Sequence, residues 1–438
     1  MSSDPALNDA TPGPRQAVAG ESIHRTLETV WRMESPKIIA RLARLLRDVG
    51  LAEETAQDAL VSALEQWPHT GVPGNPGAWL MVTARNRALD RLRRNSLVER
   101  KHEVLTHEVE LLGRPAAVPE DAADDDIGDD LLRLVFIACH PVLSTEARVA
   151  LTLRLLGGLT TAEIARAFLL PEPTIAQRIV RAKRSLAAAR VPFEVPDAAD
   201  RGARLGSVLE VIYLIFNEGY AATAGHDWLR PALCEEALRL GRIVAELVPA
   251  EPEVHGLVAL LEIQASRAGA RVGTDGEPIL LSDQNRARWD QMLIRRGLAA
   301  LARAESLGGA FGPYALQAAI AACHARARSA AETDWTRIVA LYDALAQLAP
   351  SPVVELNRAV AVAMAFGPAA GLEIVDGLLA EPRLSDYHLL PSVRGDLLAR
   401  LGRHAEASQE FARAATLARN GRERALLLER AASCGRTA

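Results

Sequence analysis

The sequence predicts an all-α protein in which two small helical modules precede a long series of helical hairpins. Aromatic residues make up only 4% of the 438 residues, and apolar residues recur at three- and four-residue spacing along most of the chain. Alternation with a period of two, the mark of half-buried strands, is nearly absent. This length allows about three domains, each with its own core.

Composition excludes several classes of function. The net charge of −5 argues against a uniformly basic nucleic-acid binder but leaves room for local basic patches. No lysine lies in a glycine-rich phosphate loop, which excludes a Walker-type NTPase. The four cysteines are too far apart for zinc-finger or CxxC spacing, and Cys139-His140 has no further Cys or His nearby, so we expect neither a metal nor a cofactor.

We expect a cytoplasmic protein that does not enter the membrane. The first twenty residues lack the basic and apolar regions of a signal peptide. The longest charge-free stretch, 306–325, is interrupted by glycine and proline and does not resemble a membrane span.

Composition shifts divide the chain into five segments. The acidic run at 120–130 holds seven carboxylates and no basic residue, which is typical of a self-repelling tether. The predicted segments are a disordered tail (1–22), a helical module (23–95), an acidic linker (96–128), a second helical module (129–191) and a helical C-terminal domain (192–438).

The first module carries a basic strip. The pattern predicts an amphipathic helix over 53–67, a Pro- and Gly-rich loop over 68–76 and a second helix over 78–94. Seven basic residues lie between Leu80 and Lys101 against two acids. Such a strip is either a solvated face or a phosphate-binding surface. Trp79 either stacks on a base or packs in the core.

The second module has the layout of a helix-turn-helix. Thr160 and Glu163 have the spacing of a capping box that opens a short helix, and prolines interrupt the chain over 169–173. A second helix follows from Thr174, with apolar residues on one face and polar residues on the other. The predicted inward residues are Ile175, Ile179, Ala182 and Leu186, and the outward ones are Gln177, Arg178, Arg181 and Arg184.

The C-terminal half repeats a hairpin pattern. Three apolar helices, at 313–327, 353–366 and 389–401, are each followed by a second helical segment, at 335–350, 369–382 and 404–419. The repeat spacing is close to the 34 residues of tetratricopeptide repeats, whose hairpins stack into a solenoid. The segment 271–290 interrupts this pattern as an irregular insertion.

Two segments carry a family resemblance. Residues 78–94, AWLMVTARNRALDRLRR, resemble the promoter-melting segment of extracytoplasmic-function (ECF) sigma factors. Residues 143–154 with 158–165 and 178–184 resemble the domain of the same family that binds the minus-thirty-five element. The long helical C-terminus resembles the subgroup with a tetratricopeptide-like extension. The resemblance implies an all-α fold of two sigma modules, the second with a helix-turn-helix, joined by an acidic linker and followed by an α-solenoid.

The resemblance also implies partners and site residues. The partners would be promoter DNA, core RNA polymerase through its β′ clamp helices and β flap, and a signalling protein on the tetratricopeptide-like domain. Minus-ten contacts would come from His69, Thr70, Gly71, Trp79, Arg85, Asn86, Asp90, Arg91, Arg93 and Arg94. Minus-thirty-five contacts would come from Thr174, Gln177, Arg178, Arg181, Lys183 and Arg184. Polymerase contacts would come from Glu54, Gln57 and Asp58.

Two other classes of function compete with this interpretation. A helix-turn-helix regulator with a helical sensor domain explains 160–190 and the C-terminal half, but leaves 78–94 without a role. An enzyme in the C-terminal half would need a nucleophile elbow, a phosphate loop or an HExxH motif, and none occurs there. We therefore expect no catalytic residues.

Overall fold

The computed structural model describes residues 14–99, 120–168, 170–221, 229–273 and 277–437, and these residues form helices joined by turns and irregular segments. This part of the chain contains no β-strand, and Val272 and Pro278 form an isolated bridge. The all-α prediction is confirmed.

Eight helices cover the N-terminal half: α1 (Pro14–Leu46), α2 (Val49–Thr70), α3 (Pro76–Glu99), α4 (Glu120–Ala138), α5 (Thr145–Leu155), α6 (Thr161–Phe168), α7 (Glu172–Ala188) and α8 (Ala198–Tyr220). Ten more follow: α9 (Pro231–Leu247), α10 (Pro252–Ala265), α11 (Gln291–Ser306), α12 (Pro313–Arg326), α13 (Trp335–Leu348), α14 (Pro352–Phe366), α15 (Pro368–Gly377), α16 (Leu389–Arg400), α17 (His404–Leu417) and α18 (Gly421–Thr437).

The residues at the helix starts explain where several helices begin. Several helices begin behind a side chain that caps a free backbone N–H, as Asp48 does for Leu51 (2.9 Å) and Ser144 for Ala147 (3.3 Å). Others begin with proline at the first position, where a missing N–H costs nothing.

The chain forms two compact units. The first comprises residues up to 165 together with 171–208, and the second comprises 166–170 and the chain from 209 onward. Within the first unit, α2 packs against α3. Both helices bury small residues, including Ala56, Ala84 and Ala88. Trp67, near the end of α2, is 1% exposed.

The predicted segment boundaries need correction at three places. Helix α1 begins at Pro14, so the disordered tail is wrong for 14–22, while 1–13 lie outside the described residues. Helix α3 continues to Glu99. Helix α4 begins at Glu120, so the acidic run is helical and is not part of a tether. Carboxylates favour a helix N-terminus, because they complement its positive dipole end.

Helix α8 corrects the start of the C-terminal domain. Its first half belongs to the first unit, where Arg204 donates to the Phe136 carbonyl at 2.8 Å and Ser207 donates to the Cys139 carbonyl at 2.7 Å. Leu205 and Val208 are buried there. The boundary therefore falls inside α8 and not at residue 192.

The predicted hairpins are present in the second unit. They are α12 with α13, α14 with α15 and α16 with α17, and consecutive helices pack against one another through α18, as in a solenoid. Gly371 lets α14 and α15 cross closely, since a Cβ there would lie 2.5 Å from the Ala363 Cβ. Gly402, with φ of 76°, makes the tight turn between α16 and α17.

The 271–290 insertion has a structural role that its sequence did not reveal. Arg286 donates to the Ala327 carbonyl beyond the end of α12 (2.9 Å) and to the Thr333 hydroxyl (3.0 Å). Trp289 is buried, and the guanidinium groups of Arg267 and Arg286 lie over its ring at 5.4 and 5.1 Å. The segment thus ties α10, α12 and the chain before α13 together.

Candidate nucleic-acid and polymerase interface

The exposed face of α3 presents five of the seven minus-ten residues predicted on this helix to solvent. Arg85, Asn86 and Arg94 are exposed, and Arg93 forms a solvent-exposed ion pair with Asp90 (3.6 Å). A surface of this kind suits phosphate binding, because guanidinium groups form charge-assisted bonds with phosphate oxygens.

Arg91 is directed differently from its neighbours on α3. It lies against α2, where it reaches the Glu54 carboxylate (3.5 Å) and the Thr55 hydroxyl (3.3 Å). Arg87, which was not among the predicted site residues, similarly approaches Asp58 (3.9 Å). Both arginines therefore pair with α2 while the side chains of Arg87 and Arg91 stay 43% and 38% exposed, respectively.

The predicted loop before α3 is shorter than expected. His69 and Thr70 form the last turn of α2, which closes where the Gly71 N–H donates to the Trp67 carbonyl at 2.9 Å. Gly71 has a φ of 81°, a conformation that favours glycine. All three positions are exposed, so they remain accessible to DNA even though two of them are helical.

Trp79 has a packing contact. Its ring meets Trp67 edge-on, with ring centroids 5.5 Å apart. This geometry favours the packing alternative for Trp79, since edge-to-face aromatic pairs stabilise helix contacts.

The predicted polymerase-binding residues are located on α2, next to α3. Glu54 and Asp58 are exposed but paired with Arg91 and Arg87, while the Gln57 amide donates to Glu53 at 2.7 Å. The two acids could exchange these partners for basic residues of another protein, because exposed ion pairs are weak.

The helix-turn-helix layout is confirmed. The Glu163 N–H donates to the Thr160 hydroxyl (3.1 Å), and the Thr160 N–H donates to the Glu163 carboxylate (2.7 Å), which makes the predicted capping box. Helix α6 ends at Phe168, and α7 begins at Glu172, slightly earlier than predicted. The inward residues of α7 are all buried as predicted: Ile175, Ile179, Ala182 and Leu186.

The outer face of α7 lines a groove of about 450 Å³ with the start of α5. Thr174, Gln177 and Arg181 are exposed along it, and Arg178 is half-exposed. Arg184 is also exposed on α7.

Sequence reasoning missed Glu146, which lies in this groove. Its own backbone N–H and the Ser144 side chain hold the pKa of its carboxyl below the usual range, and the nearby Arg178 charge contributes in the same direction. A carboxylate that stays ionised can accept a hydrogen bond from a cytosine amino group.

Lys183 departs from its predicted role. Its ammonium group pairs with the carboxylate of Glu53 on α2 and does not face the solvent with the rest of α7. Arg154 of α5 binds the same carboxylate at 2.6 Å. No local pattern in the sequence signals this contact, because the residues are more than 100 positions apart.

Cys139 and His140 have packing roles. Cys139 is buried with its sulfur 3.4 Å from the Thr152 hydroxyl, and His140 Nδ1 accepts from the Val142 N–H at 3.1 Å. Among the described residues, no group of three His, Cys, Asp or Glu side chains could hold a metal ion, and no helix has the length and apolarity of a membrane span.

Known families match the two modules in the order that the sequence predicted. Residues 30–98 match sigma-70 region 2, and residues 133–186 match sigma-70 region 4. The ECF RNA polymerase sigma factor SigK of Mycobacterium ulcerans is 30% identical over 158 residues, which cover 78% of that protein and 34% of this chain. The chain belongs to the ECF RNA polymerase sigma factors. SigK of Mycobacterium bovis (strain BCG / Pasteur 1173P2) is 29% identical to this sigma factor over 163 residues, which again cover 78% of that protein and 34% of this chain.

Likeness extends beyond the sigma modules. Residues 204–305 of this sigma factor match a family of unknown function, DUF6596. An uncharacterized protein of Rhizobium meliloti is 46% identical over 396 residues, which cover 90% of this chain and 92% of that protein. The helical extension is therefore shared by a relative that matches nearly the whole chain.

Proposed function

We propose that this sigma factor binds core RNA polymerase in the bacterial cytoplasm and directs it to specific promoters, without itself doing chemistry. The observation that carries the proposal is the presence, in one chain and in family order, of region 2 with an exposed basic α3 and region 4 with an exposed recognition face on α7.

We assign minus-ten recognition and melting to the first module (23–95) and minus-thirty-five binding to the second (129–191). We assign contacts with the opened strand to Arg85, Asn86 and Arg94, which are exposed on α3. We assign the reading of base edges in the major groove to Gln177, Arg178 and Arg181, which line the groove beside α7. On the polymerase, the β′ clamp helices would bind the α2 face of Glu54 and Asp58, and the β flap would bind region 4.

In vitro transcription tests the central proposal. Purified sigma factor with core polymerase is expected to start transcripts at promoters from its own genome, and to be retained by core polymerase in a pull-down. A helix-turn-helix repressor need not bind core. If no genomic promoter supports initiation and core retains none of the protein, the proposed function is wrong.

We further propose that the helical C-terminal domain regulates the sigma modules in the same chain and binds a signalling protein. The support is local: α8 packs on region 4 through Arg204 and Ser207, and Arg230 donates to the carbonyl of Ala167 at the end of α6. A domain tethered in the same chain acts at a high effective concentration.

A further inference from the structure

One carboxylate of region 2 pairs with basic groups from two helices of region 4, α5 and the recognition helix α7. The side chain of Glu53 on α2 is only 4% exposed. Arg154 of α5 donates to Glu53 Oε1 at 2.6 Å, Lys183 of α7 pairs with Oε2, and Gln57 adds a bond within α2.

Burial makes this contact consequential. A carboxylate that is removed from water must be compensated by paired charge, and Arg154 and Lys183 supply that charge. These ion pairs can form only while α2 lies against α5 and α7. The charge of the buried Glu53 is therefore compensated by Arg154 and Lys183 only when region 2 packs against region 4.

Two more carboxylates of the second module pair with basic residues of the first, on helix α1. Asp130 of α4, whose side chain is 1% exposed, contacts Arg41 (3.3 Å) and Arg44 (3.4 Å) of α1. Arg32 of α1 contacts Glu163 of α6 at 3.1 Å. Ion pairs exchange partners more readily than apolar contacts do when a competing polyanion is present.

Lys183 cannot serve two partners at once. The family resemblance implies that Lys183 contacts minus-thirty-five DNA, whereas in the structure the Glu53 carboxylate occupies its ammonium group. We propose that Glu53 is an intramolecular latch, a carboxylate that takes the place of a DNA phosphate on Lys183 and keeps region 4 packed against region 2 until promoter DNA displaces it. The proposal rests on the proposed DNA-binding role of α7.

The scarcity of lysine allows a test that does not depend on DNA. The chain has only three lysines, Lys37, Lys101 and Lys183, so their acetylation by an N-hydroxysuccinimide ester can be followed separately by mass spectrometry. In the full-length protein, Glu53→Gln is expected to raise the acetylation rate of Lys183 several-fold relative to Lys37, because the amine becomes exposed. Glu65→Gln, which removes the same charge from an exposed position on α2, is the matched control and is expected to change nothing.

Binding of a fluorescein-labelled 30-base-pair duplex of mixed sequence gives the functional readout. Glu53→Gln is expected to bind about five-fold more tightly than the wild type, because the apparent affinity scales with the fraction of open molecules. Adding Lys183→Ala to Glu53→Gln is expected to remove most of this gain. Glu53→Asp keeps the charge but shortens the side chain, and an intermediate gain would exclude a bulk-charge effect. Circular dichroism confirms that each variant is folded.

The outcomes separate the latch from the proposed function. If Lys183 is acetylated at the same rate in wild type and in both Glu53 variants, the latch is wrong, whatever the DNA affinity. If acetylation rises but the affinity for the duplex does not, Glu53 covers Lys183 without competing with DNA, and the latch is wrong; transcription with core polymerase tests the proposed function separately. If both acetylation and affinity rise in the Glu53 variants alone, the latch is supported.

Discussion

At the scale of single residues, basic side chains that are neighbours in the sequence make different contacts. On α7, Arg178 borders the groove while Lys183 is paired across to α2. In the insertion, Arg286 binds backbone carbonyls while Arg288, two positions on, is exposed. Spacing alone does not distinguish these roles, because each depends on which partner the fold brings near.

Base readout by α7 is testable by single substitutions. Gln177→Ala and Arg178→Ala are each expected to change the minus-thirty-five preference, at a cost of about 1–3 kcal/mol in binding the preferred element. Binding to a panel of single-base variants of that element measures this. Arg190→Ala, at an exposed position beyond α7, is the control and should matter little. Equal losses on every DNA variant would mean that these residues hold phosphates only.

Arg286 should contribute strongly to the stability of the second unit. Arg286→Ala removes bonds to the Ala327 carbonyl and the Thr333 hydroxyl and leaves these acceptors unpaired, which is expected to cost about 2–4 kcal/mol. Urea unfolding followed by circular dichroism measures the change. Arg288→Ala should lower stability by less than about 0.5 kcal/mol, as exposed sites do. Equal losses in both variants would contradict the clamp role of Arg286.

His324 predicts a pH dependence of stability. Burial, reinforced by the charges of Arg267 and Arg286, lowers the pKa of His324 to about 4, whereas an unfolded histidine titrates near 6.5. The unfolded state therefore binds more protons between these values, and stability is lost as pH falls from 6.5 towards 4, by up to about 3 kcal/mol. Urea unfolding across this window measures the loss. His324→Phe should flatten the dependence, and an unchanged slope would contradict it.

At the scale of elements, close approaches depend on glycine. Gly158, between α5 and α6, has a φ of 66°, and a Cβ there would lie 3.1 Å from Ser35 Oγ and 3.3 Å from the Arg32 Cα of α1. The turn and the contact between two helices thus require the same residue.

Gly158→Ala should destabilise the first unit by about 1–2 kcal/mol, because an L-residue is strained at positive φ and the neighbouring α1 must shift. Thermal unfolding monitored by circular dichroism checks this. Gly202→Ala, on the exposed side of α8 with nothing within 4 Å of the added Cβ, should be neutral or slightly stabilising. A Gly158→Ala variant as stable as Gly202→Ala would show that the contact is unimportant.

At the scale of the whole molecule, helix α8 passes from the first unit into the second without a break. A proteolytic or genetic cut near 195 therefore removes the contacts of Arg204 and Ser207 with region 4. A change in activity after such a cut could come from this lost packing or from lost regulation by the C-terminal domain. A cut after Val208 keeps these contacts.

The fragment 14–208 decides between the two forms of regulation. Higher transcription than the full-length chain, with core polymerase and the same promoter, supports occlusion by the C-terminal domain. Lower transcription from a folded fragment supports a scaffold that the modules require. Unchanged activity and unchanged core affinity would contradict regulation within the chain. Comparison with the fragment 14–195 measures the share that α8 packing contributes.

The sequence by itself determined the helical class, the order of the modules, the capping box at Thr160, the inward face of α7 and the three hairpins of the C-terminal half. These features depend on residues within a turn or two of each other, so periodicity and capping chemistry are sufficient to predict them. The motif residues of α3 and α7 are likewise contiguous in the chain, and they carry the family resemblance by themselves.

Only the tertiary structure decided which charged side chains form ion pairs or hydrogen bonds within the protein. Glu53 and Lys183 lie 130 positions apart, and Asp130 has the sequence context of a solvated acidic run. The insertion at 271–290 has no periodicity, so the bonds of Arg286 to the end of α12 were also hidden. A charged side chain has the same local pattern whether it faces water or a partner, and the difference is set by desolvation and by which distant groups the packing brings within about 4 Å.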